Sequence, residues 1–79
     1  MAGSTTEERE VMNPFEDIKN SEIRNLIDEY IHSERDRSVL LDRYTMGYTY
    51  EKIAELHDLS TIQVKRIIYK GTDRLKERV

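Results

Sequence analysis

From residue 20 onward the apolar positions of the chain recur at helical spacing. Ile23, Leu26, Ile27, Tyr30 and Ile31 follow the i, i+3, i+4, i+7, i+8 rule, which gathers them on one stripe of an amphipathic α-helix. Asn20 or Ser21 is placed to cap its start. Ser33 with Asp36 three residues on has the spacing of a second cap, opening a helix whose inner stripe is expected to be Leu40, Leu41 and Tyr44. Gly47 stops that helix, because glycine enters the left-handed conformation freely. Thr49 then restarts a helix almost at once, and Ser60 with Gln63 caps the last one.

Earlier in the chain the pattern is weaker. Residues 1–12 are small and polar, then acidic, and read as a disordered tail or a tag. Asn13-Pro14-Phe15-Glu16 is the first structural signal, with Asn as a cap and Pro at the first helical position. Phe15 and Ile18 would anchor the turn that starts there. No run alternates with period two for long enough to make a strand. The expectation is therefore an all-α chain of four to five short helices, a single helical domain over residues 13–79.

Length and composition narrow the functions that such a chain can carry. A domain of 79 residues buries only about 60 to 65% of the surface its unfolded form exposes, which leaves little room for a catalytic cleft. Without cysteine there is no disulfide framework, thiolate zinc site or cysteine nucleophile. His32 and His57 lack an acidic cluster at ligand spacing, so no metal is expected. No glycine-rich phosphate loop or nucleophile motif occurs. The expectation is no catalytic residue, no cofactor and no enzyme activity. No apolar run approaches the roughly 18 residues of a membrane span, and the N-terminal stretch lacks the hydrophobic centre of a signal peptide. These features predict a cytoplasmic protein with no membrane partner.

The net charge of −3 conceals an asymmetry. Residues 1–36 carry four Lys or Arg against ten Asp or Glu, whereas residues 60–79 carry six against two. Attraction to a polyanion follows the local field of the approaching face, not the sum over the molecule.

The segment TYEKIAELHDLSTIQVKRII, residues 49–68, meets the requirements of a helix-turn-helix, expected over residues 49–70. Two short helices that cross steeply need a small residue where the second passes the first, and Ala54 supplies it. Ile53, Leu59, Val64 and Ile67 fall at the inward offsets. The turn needs a residue tolerant of positive φ, a role that falls to Asp58. His57 occupies an inner position usually held by an aliphatic residue, as a half-buried space-filler or as a group that tunes the turn with pH. His32 is expected to favour the negative end of its helix dipole.

The span ERDRSVLLDRYTMGYTYEKIAELHDLSTIQVKRIIYKGTDRLKER, residues 34–78, resembles region 4 of bacterial sigma factors. The features that carry the resemblance are Arg43-Tyr44, Gly47, Thr49, Ile53-Ala54 and Ser60. It implies an all-helical domain, without a wing, that reads promoter DNA in the major groove and touches RNA polymerase. Nothing in the chain resembles the part of a sigma factor that melts promoters, so the expectation is a stand-alone protein of the phage or prophage type.

On a helical wheel from Ser60, the residues Val64, Ile67, Ile68, Gly71 and Leu75 share the inner face. Thr61, Ile62, Lys65, Arg66 and Tyr69 share the outer face and are the candidates for base contact. Arg66 is the first choice for a guanine edge and Lys65 the second, with Thr61 or Ile62 against a thymine methyl. Arg43, Thr49, Tyr50, Lys52, Ser60 and Lys70 are the candidates for phosphate contact. Gly71 either ends the last helix or permits a close approach, and Leu75 favours the second.

The expected partners are double-stranded DNA and RNA polymerase, the protein being a monomer or a weak homodimer. The first helix either closes the core or forms a dimer seam. An alternative function is a protein-interaction module that docks on polymerase or a phage assembly with little DNA binding of its own.

Overall fold

The apolar stripes close on one another in the computed structural model of the protein, which describes Phe15 and residues 17–78. Among the described residues there are four helices and no strand: α1 (Asn20–Tyr30), α2 (Glu34–Tyr44), α3 (Tyr50–His57) and α4 (Thr61–Lys76). The expected tail over residues 1–12 and the helix start at Asn13-Pro14 lie outside the described residues.

Helix α2, like α4, touches all three other helices. This position explains a correction to its inner face. The expected stripe was Leu40, Leu41 and Tyr44, but Val39 and Leu40 are fully buried while Leu41 and Tyr44 are half-buried. A helix enclosed by three neighbours buries a wider arc than one stripe, so adjacent residues can both point into the core.

Ile23, Ile27 and Ile31 of the first amphipathic segment are also buried in the common cluster, so α1 closes the core. Phe15 adds a plug from outside the helices, only 1% exposed, its ring meeting that of Tyr44 edge-on with centroids 5.0 Å apart. Such a pair contributes about 0.5 to 1.5 kcal/mol beyond area burial.

The helix ends follow local chemistry, with one correction. Lys19 holds the N-cap position of α1 and makes no side-chain cap bond, while Asn20 and Ser21 lie inside the helix. At the other end of α1, beside His32, a cation meets the last carbonyls. The Arg37 guanidinium donates to the carbonyls of Ile31 and His32 at 2.9 and 3.2 Å. Ser33 caps α2 as its spacing predicts, accepting from the Asp36 amide at 3.3 Å. Helix α2 ends at Tyr44, and Gly47, at φ +73°, turns the chain two residues past the Thr45 cap.

Gly71 resolves toward close approach. Helix α4 runs through it to Lys76, and a Cβ at this position would stand 2.6 Å from Leu40 Cδ1. The missing side chain is what lets α4 lie against α2.

Candidate nucleic-acid interface

Three local devices set the angle between α3 and α4. Thr49 caps α3 by accepting from the Lys52 amide at 3.1 Å. Asp58 ends it in the left-handed region, φ 56° and ψ 46°, and is the one non-glycine residue at positive φ among those described. The Asp58 and Leu59 amides both donate back to the Ala54 carbonyl. Ser60 then opens α4 with a reciprocal capping box: its Oγ accepts from the Gln63 amide at 3.1 Å, and Gln63 Oε1 accepts from the Ser60 amide at 3.0 Å. Ile53, Ala54, Val64 and Ile68 fill the angle and are buried, with Leu59 and Ile67 half-buried at its edge.

His57 does more than fill space. Its Nε2 lies 2.8 Å from Asp42 Oδ2, both side chains largely enclosed, so the end of α3 is tied to α2. Fifteen residues separate the partners, and no local spacing rule connects them. A second such tie joins the Tyr44 hydroxyl to Thr72 Oγ1 at 2.7 Å, fixing α2 against the middle of α4.

On the outward face of α4, Ile62, Lys65, Arg66 and Tyr69 are exposed, with Ile62 at 66% and Tyr69 at 58%. Lys70 is exposed beside them, and Thr61, at the first position of the helix, is half-buried. Among the described residues no carboxylate pairs with Lys65, Arg66 or Lys70. Of the candidates for phosphate contact, Thr49 and Ser60 are exposed but already committed as caps. Lys52 is exposed with its ammonium 5.8 Å from the ring centre of Tyr48.

The remaining candidates converge on one ring. Tyr50, half-buried at the start of α3, has the Arg43 guanidinium of α2 at 4.5 Å from its centroid and the Lys65 ammonium of α4 at 5.7 Å. Arg43 is pinned further by donating to the Tyr48 carbonyl at 2.9 Å. Tyr69, one turn beyond Lys65, lies close enough to Tyr50 for its phenol to help raise that of Tyr50. Burial pushes the Tyr50 phenol above its ordinary value of 10.0, only partly opposed by Arg43, so the hydroxyl stays protonated. The structure thus joins four residues that sequence reasoning had divided between base and phosphate contact: Arg43, Tyr50, Lys65 and Tyr69. Ile62 and Arg66 stand outside this cluster.

Among the described residues no group of three or more His, Cys, Asp or Glu is placed to hold a metal ion. Among the same residues no helix is long and apolar enough to cross a membrane.

Residues 33–77 match the family model described as "Sigma-70, region 4". That span takes in α2, the whole helix-turn-helix and α4. No curated protein and no solved structure matches the chain.

Proposed function

Since the chain belongs to the sigma-70 region 4 family, a DNA-binding and not an enzymatic one, we propose that it is a sequence-specific transcription regulator. In this reading α4 enters the major groove of double-stranded DNA. The observation that supports it most is the exposed ridge of Lys65, Arg66 and Lys70, interleaved with Ile62 and Tyr69 and paired with no carboxylate among the described residues. A ridge of cations supplies the sequence-independent attraction to phosphates, and the side chains between them supply base contact. Arg66 reads a guanine edge and Ile62 meets a thymine methyl. Thr61 lies beside them at the helix start, while the exposed amides of the capped N-termini and Lys52 and Lys70 hold the flanking phosphates.

One module of this size makes three to five phosphate contacts, so the logarithm of affinity falls against the logarithm of salt with a slope of about −3 to −4.5. Tight binding requires a second copy, on half-sites about one helical turn apart, or polymerase holding the same promoter.

Selection of bound duplexes from a random pool, followed by anisotropy titration of the winning sequence, tests the reading. The expected result is a shared sequence motif bound with that salt slope. Arg66→Ala is expected to cost about 1 to 3 kcal/mol on the selected site and to relax one position of it. A pool that yields no motif rejects sequence-specific reading.

Docking on RNA polymerase is the second reading, and a separate surface favours it. Ile18, Leu26, Asn25, Glu22, Glu29 and Arg78 line a hollow of about 450 Å³ between α1 and the end of α4, its two apolar residues half-buried and its exposed rim carrying Glu22 and Glu29 opposite Arg78. Retention of the chain by polymerase, without any duplex binding, would favour this reading over the first.

A further inference from the structure

We propose that Tyr50 is a positioning residue that gathers Arg43 and Lys65 into one phosphate-binding site, so that Lys65 grips the DNA backbone and does not read a base. This inference rests on the DNA-binding reading and changes the role of one of its residues.

The geometry has three parts. The two cations come from helices α2 and α4, and the ring between them belongs to α3. Distances of 4.5 and 5.7 Å to the same centroid limit their separation to about 10 Å, and each DNA strand presents one phosphate for about every 3.4 Å of helix axis. Both cations therefore fall within a short run of phosphates on a single strand.

Second, the ring draws Lys65 toward α2 and α3. A cation over an aromatic face is attracted by the negative face of the ring, which biases a flexible four-carbon chain toward one side of α4. Tyr69, exposed one turn beyond Lys65, follows it on the same helix. Arg66 is turned about 100° from Lys65 around the helix axis and lies outside the cluster, so it keeps the base-reading role.

Third, the site is assembled before DNA arrives. Arg43 is fixed by both the Tyr48 carbonyl and the Tyr50 ring, yet a guanidinium carries five N–H donors, and most remain for a phosphate. Ordering long side chains in advance reduces the entropy lost on binding.

The test uses the full chain, a selected duplex and a scrambled duplex of equal length. Lys65→Gln is expected to weaken binding to both by the same factor and to reduce the salt slope by about 0.9. Tyr50→Phe keeps the ring and is expected to leave the Lys65→Gln effect intact, whereas Tyr50→Leu removes the ring and shrinks that effect. In the free protein, ring-current shifts of the Lys65 side-chain methylene protons by NMR should persist in Tyr50→Phe, and they report the cluster even if Tyr50→Leu folds poorly.

If Lys65→Gln erases discrimination between the duplexes and spares the salt slope, Lys65 reads a base and the proposal fails. Unshifted Lys65 methylene protons in the wild type, with normal DNA binding, overturn the cluster alone. A wild type that binds neither duplex overturns the DNA reading and this proposal with it.

Discussion

Gly71 shows how one absent side chain sets the packing of the molecule. Replacing it by Ala gains about 1 kcal/mol of helix propensity, but the new methyl enters space held by Leu40, whose Cδ1, Cδ2 and Cγ lie 2.6, 3.1 and 3.3 Å from the Cβ position. Leu40 is fully buried, so its branch has little room to turn, and overpacking of this kind costs about 1 to 3 kcal/mol. Gly71→Ala is therefore expected to lower stability by up to about 2 kcal/mol in urea denaturation. On a Leu40→Val background the same change should cost less, because the methyls it meets have been drawn back. Equal costs on the two backgrounds would show that the close approach is not what Gly71 provides. Two tyrosines carry a second expectation. Burial raises the phenols of Tyr44 and Tyr50 above 10.0, with neighbouring Arg43 opposing in each case. A raised folded value means that the folded state holds its protons where the unfolded chain has lost them. This contribution is complete below pH 10 and declines as pH rises through the folded values. Thermal melts from pH 9 to 11 should show the decline. Tyr50→Phe and Tyr44→Phe should each flatten it.

At the scale of the helix and its ends, much of the architecture was legible in the sequence because caps and turns are local. Ser33, Thr49 and Ser60 cap as their spacings require, and Asp58 takes the left-handed turn. What was not legible depends on which helices meet. Val39 escaped notice because a single stripe cannot announce that α2 is enclosed on three sides. The Asp42–His57 and Tyr44–Thr72 ties join residues 15 and 28 positions apart, so only the tertiary crossing brings them together. The outward ridge of α4 was legible from the helical period alone, yet the assembly of Arg43, Tyr50 and Lys65 was not, since three helices contribute to it. The turn offers a test of these local rules. A left-handed residue costs roughly 1 to 2 kcal/mol for most side chains and little for glycine. Asp58→Gly is expected to leave stability unchanged or raise it by up to about 1 kcal/mol, while Asp58→Val should lower it by about 1 to 2 kcal/mol. Ser60→Ala, by removing half of the capping box, should cost about 0.5 to 2 kcal/mol. Chemical denaturation of the three variants separates the turn from the cap.

Over the whole molecule, charge is divided between two ends with opposite demands. The cationic ridge belongs to α4, whereas α1 exposes Glu22, Asp28 and Glu29, and the chain as a whole carries −3. If α4 alone met DNA and α1 met nothing, the acids of α1 would only slow the encounter with a polyanion. That penalty would vanish with salt, because the Debye length falls from about 30 Å at 0.01 M to about 8 Å at 0.15 M. Glu22 and Glu29 also form part of the rim of the hollow that ends at Arg78, which gives them a second role if polymerase docks there. The double variant Glu22→Gln, Glu29→Gln, which reduces the net charge from −3 to −1, separates the two demands. Its association rate with the selected duplex should rise at low salt and match the wild type at 0.15 M, while the dissociation rate stays the same, as expected when remote charges steer and do not touch. Its retention on RNA polymerase should fall if the acidic rim meets a basic segment of that partner. An unchanged association rate at low salt would mean that the field of α1 does not reach the approach path of α4. Unchanged retention would remove the rim from the docking surface and leave its charges to solubility alone.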